Sequence, residues 1–190
     1  VGGLDTTAAS ATNLAGSIAT TDTQMDLGAV ALAANTTLDT GTAATSILNV
    51  GAVTSAGNNL TLDAGGNAAA AATVASFAGG GDITVTDSGS TTFSGAVTAD
   101  TVTINDTTGT VSFAGDTTIG TGLTTAAQAY NVSFTGAVNS VAGDTTFANT
   151  GTVTLGDANT DSITFVGGLD TTAASATNLA GSIATTDTQM

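Results

Sequence analysis

Aspartate is the only side chain in this chain with strong acid–base or metal-binding chemistry. The 190 residues carry 15 acidic groups, all of them Asp, and no Lys, Arg, His or Cys. Carboxylate and amide oxygens suit hard cations. Thiolate or imidazole metal sites are excluded, as are most general bases and covalent nucleophiles. The densest group is Asp157, Asn159 and Asp161, oxygen donors at alternate positions like the opening of an EF-hand calcium loop. These three are the candidate calcium ligands. Ser162 stands where that loop has its glycine, and Gly168 where it has its closing Glu, so an Asx-rich turn is the competing reading.

Charge widens the cation argument. Residues 1–165 hold 13 Asp and no cation. Fixed charges packed within the Debye length of about 8 Å recruit counterions, so calcium or another divalent cation is the expected ligand and no other cofactor is. Gly79-Gly80-Gly81-Asp82 holds only part of a glycine–aspartate calcium roll and reads as a turn. Paired carboxylates alone, with no Arg to grip an acidic sugar, do not make a polysaccharide-cleaving site. The chain is therefore expected not to be an enzyme.

The missing cations also exclude partners. Without Lys or Arg there is no phosphate clamp for nucleic acid and no attraction to anionic lipid. No apolar run approaches the roughly 20 residues of a membrane span, so membrane insertion is not expected. No signal-peptide pattern opens the chain, and an export signal is expected outside it. Asn-x-Ser/Thr occurs at Asn35, Asn59, Asn105 and Asn131, as often as the Thr and Ser content alone would produce. Thr-x-Thr pairs occur at Thr84/Thr86, Thr101/Thr103 and Thr152/Thr154, too sparsely for a ranked ice-binding face. One Tyr and no Trp leave no platform for stacking sugars.

The elements that hold these aspartates come from two periodicities. Residues 1–25, VGGLDTTAASATNLAGSIATTDTQM, recur letter for letter at 166–190, an offset of 165. Self-identity at a fixed offset marks a tandem array: residues 1–165 read as one full unit, and 166–190 as the start of the next. Within the unit, triplets of apolar–Thr/Ser–apolar type recur: Leu60-Thr61-Leu62, Ile83-Thr84-Val85, Val102-Thr103-Ile104, Val111-Ser112-Phe113, Val132-Ser133-Phe134, Val153-Thr154-Leu155 and Ile163-Thr164-Phe165. Each reads as an in–out–in strand, closed by Gly, Asp or Asn turns. Val111, Val132 and Val153 are 21 residues apart.

The pattern predicts an all-β fold, a right-handed parallel β-helix or β-solenoid with about eight coils of about 20 residues per unit. With strands about 4.8 Å apart, one unit rises about 38 Å. The positive mean hydropathy of +0.34 argues for a packed core in spite of the charge. The Ala-rich stretch 67–76 is expected to be a thin-walled stretch or an out-loop of one coil.

The strings VTINDTTGTVSFAGDTTI (102–119), LTTAAQAYNVSFTGAV (123–138) and the run from 151 to 190 resemble the giant β-strand-repeat surface proteins of Gram-negative bacteria, which are similar to filamentous haemagglutinin. The resemblance covers the whole chain and implies export to the cell surface, with roles in adhesion, sheaths or fibres. It carries no catalytic residue across. The expectation is a structural repeat segment of a secreted fibre, sheath or surface layer that self-associates into filaments or lateral bundles. The passive stalk of a giant adhesin is the alternative.

Overall fold

In the computed structural model, residues Gly3–Thr186 are described. Among them the chain is all β, with no helix, and its twenty strands form one sheet. Every pairing is parallel and joins a strand to the coil before or after it. The column Leu4, Met25, Leu48, Ala72, Thr91, Val111, Val132, Val153 and Thr177 climbs the whole stack. Its steps vary from 19 to 24 residues, read directly from those numbers. This is a β-solenoid.

Each coil carries three strand legs, on three sides. The column just traced lies on the first side. The second runs through Thr12, Val30, Val53, Phe77, Val97, Thr117, Asn139, Ile163 and Ile183. The third runs through Ile18, Leu38, Leu62, Val85, Ile104 and Thr125. All seven predicted triplets are strands whose outer two residues are buried and whose middle residue is part-exposed. Alternation places them so because successive side chains of a strand point to opposite faces.

Stacking sorts like with like. Phe93, Phe113 and Phe134 share an inward column, and their rings are nearly parallel at centroid distances of 4.9 and 4.6 Å. Two residues after each Phe is a glycine: Gly95, Gly115 and Gly136. A Cβ on Gly115 would fall 2.3 Å from the carbonyl carbon of Gly95, and one on Gly136 2.3 Å from the oxygen of Gly115. Only glycine lets the backbones of successive coils pass that closely at this corner.

Not every inward position is apolar. Thr91, Thr117, Thr145 and Asn139 are buried, and hydrogen bonds compensate their burial. Thr117 Oγ1 donates to Gly115 O (3.0 Å), and Asn139 Nδ2 to Gly136 O (2.7 Å). The Ala-rich stretch forms no out-loop. Its start is a turn, Ala71–Ala78 is a strand, and Ala72 sits inside between Leu48 and Thr91, where the wall is thin.

The two copies of the repeated sequence lie at opposite ends of the stack, on different sides. Leu4 is on the first side, whereas Leu169, its equivalent, pairs with Thr145 on the third. Leu14 is on the second side and Leu179 on the first. Counting legs along the chain, Leu169 is the twenty-third after Leu4. At three legs per coil, 165 residues make seven and two-thirds coils.

Candidate functional site

The aspartates sit at coil corners and on the third side, and most of their carboxylates accept backbone N–H bonds. Asp161 Oδ2 accepts from the amides of Asp157 (2.8 Å) and Ala158 (2.9 Å). Those amide bonds hold its carboxyl below the usual aspartate range. Asp161 is buried, whereas Asp157 and Asn159 are exposed. The three candidate calcium ligands thus lie on one turn after the strand Thr152–Leu155, with one Asp161 oxygen directed at the turn's own backbone. Among the described residues, no three His, Cys, Asp or Glu side chains are grouped closely enough to hold a metal ion.

Other acidic and amide side chains join one coil to the next. Asp22 Oδ1 accepts from the amides of Thr42 (2.9 Å) and Ala43 (3.1 Å), 20 and 21 residues on. Asp116 Oδ1 accepts from Val138 N, and Asp100 Oδ2 from Gly81 N. Asn131 Oδ1 accepts from both the amide and the hydroxyl of Thr152, at 2.8 and 2.9 Å. Asn59 and Asp82 bond reciprocally: Asn59 Nδ2 donates to Asp82 Oδ2 and Asp82 N donates to Asn59 Oδ1. Asn59 and Asn131, two of the Asn-x-Ser/Thr positions, are therefore engaged between coils.

One acidic column stands apart. Asp39, Asp63 and Asp87 stack on three successive coils of the third side. Partial burial pushes the Asp63 carboxyl above its ordinary range; the amide of Gly65 opposes this and its two charged neighbours add to it. Beside it runs a hydroxyl column that the sequence spacing conceals: Thr37, Thr61, Thr84, Thr103, Thr124 and Thr146, one per coil for six coils. It is a single file. The second members of the Thr-x-Thr pairs do not form a matching rank: Thr101 pairs with Gly122, and Thr152 lies on the first side. Varying coil lengths place these threonines at unequal sequence intervals, which is why the column escapes sequence reading.

Tyr130, the only Tyr, is fully buried. Its hydroxyl donates to Ile104 O at 3.1 Å, and burial raises its pKa to about 12. It is a core residue. The outer surface so assembled can bind water and counterions and can bond to a further coil, but it holds no nucleophile, base or cationic clamp. No protein-family model matches the chain, and neither a curated protein nor a solved structure matches it.

Proposed function

We propose that the chain is a structural segment of a long extracellular fibre, sheath or surface layer of a Gram-negative bacterium, of the filamentous-haemagglutinin-like kind. One observation carries this reading: a 25-residue sequence occurs identically at both ends of a single unbroken parallel stack. A stack whose end repeats its beginning suits indefinite extension, because each coil supplies the edge for the next. The side-chain chemistry agrees, since aspartate serves there as a backbone acceptor and nothing else is reactive. Trypsin has no Lys or Arg to cut. Self-association into bundles, with divalent cations bridging acidic columns such as Asp39–Asp63–Asp87, completes the reading.

Cryo-electron microscopy of the native material, with and without a chelator, tests it. Rods with about 4.8 Å stacking, packed side by side, are expected, and chelation should loosen the packing. Single unassociated rods ending in a distinct head would overturn the fibre and make the segment an adhesin stalk.

A further inference from the structure

We propose that two separate copies of this chain join end to end by strand exchange, segment 3–21 of one copy taking the place of the identical segment 168–186 of the other. This goes beyond the reading above, because it concerns the joining of distinct chains and holds equally for a fibre or a stalk.

The seat for the segment is present within the chain. It consists of the open edges of Asp144–Thr146, Thr152–Leu155 and Ser162–Phe165. On it, Leu169 lies over Thr145, Thr177 over Val153, Leu179 over Leu155 and Ile183 over Ile163. Leu4, Thr12, Leu14 and Ile18 are the same residues in the same order. They adopt the same strands: Leu4–Asp5 matches part of Gly168–Asp170, and Thr12–Ala19 covers the equivalents of both Ala176–Leu179 and Ser182–Thr185.

The edges are also complementary. The first copy of the segment is paired only toward the coil that follows it, through Met25, Val30 and Leu38. Its other edge is the one that the second copy uses to reach its seat. An incoming chain therefore docks without breaking any strand of its own. The segment it displaces is held from one side only. Leu14, covered by Leu32, is 6% exposed, whereas the equivalent Leu179 is 60% exposed. Beside Leu179 opens a cavity of about 710 Å³, lined by Leu169, Thr177 and Thr145 among others.

The resident segment is tethered, and a short tether gives an effective concentration of about millimolar. At micromolar concentration the chain therefore caps itself. Weakening the resident copy alone should release the seat.

The test is Ile183→Asp in the full chain, followed by sedimentation and by circular dichroism. Joined species of at least twice the 17.9 kDa monomer mass are expected, with the strand signal kept. The double variant Ile18→Asp/Ile183→Asp should stay monomeric, because its incoming edge carries the same charge. Excess synthetic peptide of sequence 1–25 should return the single variant to monomer mass by filling the seat. A monomeric single variant, or a double variant that joins equally well, would overturn the proposal. So would loss of the strand signal in Ile183→Asp, since a seat that cannot be vacated cannot be exchanged. Any of these outcomes leaves the fibre reading standing, because units within one covalent chain need no exchange.

Discussion

Asp63 and Asp161 are chemically the same residue, yet the fold treats them in opposite ways. Asp63 is half-buried between two like charges, so it holds its proton to higher pH in the folded chain than in the unfolded one. Its penalty is absent below the ordinary aspartate pKa and appears as pH rises through the folded value. Asp63→Asn should stabilise the chain at pH 7 by on the order of 0.5 kcal/mol, the scale of one cross-strand pair. Asp161 is held low by amide bonds, so it contributes stability above its unfolded pKa and loses it as pH falls through its folded value. Asp161→Asn should therefore destabilise at pH 7. Urea titrations at pH 7 and pH 3 check both, and both differences should shrink at the lower pH. In the core, Phe113 has a stacked ring above and below. Phe113→Ala should cost about 3–5 kcal/mol, read as a lower urea midpoint.

At the scale of the element, coils are held in register by backbone ladders, corner glycines and side-chain acceptors. Gly115→Ala would drive a Cβ into the Gly95 backbone. It should cost about 1–3 kcal/mol, visible as a lower melting temperature. Asn131 receives two bonds from Thr152 on the next coil. Asn131→Ala should cost about 1–2 kcal/mol by leaving a half-buried amide unpaired. Asn131→Asp keeps the accepting oxygen and should cost less, so melting the two variants side by side separates a lost acceptor from lost packing.

At the scale of the whole molecule, the count of seven and two-thirds coils has a geometric consequence. In a tandem array each unit would begin one side away from its predecessor, a turn of about a third about the axis. With parallel coils about 4.8 Å apart, one unit rises about 37 Å and the same face returns after three units, about 110 Å. Helical reconstruction of a multi-unit rod should show that screw. A straight translation of about 37 Å with no rotation would contradict it. Any surface feature of one unit, such as the threonine file, then winds around the rod and never forms one continuous flat stripe.

The sequence by itself determined the fold class, the inward positions and the absence of reactive chemistry. Period-two alternation tells which residues of Val132-Ser133-Phe134 face the core wherever the strand lies, and composition excludes whole classes of site. Tertiary structure decided everything that depends on which residues are one coil apart. Coil lengths from 19 to 24 residues shift the register at every step, so the Asp39–Asp63–Asp87 column, the threonine file and the Thr152 bonds to Asn131 have no fixed interval to read. The same variation decided that two identical 25-residue segments lie on different sides of the stack. A strand's side depends on the summed length of every coil before it, a quantity that no local pattern contains.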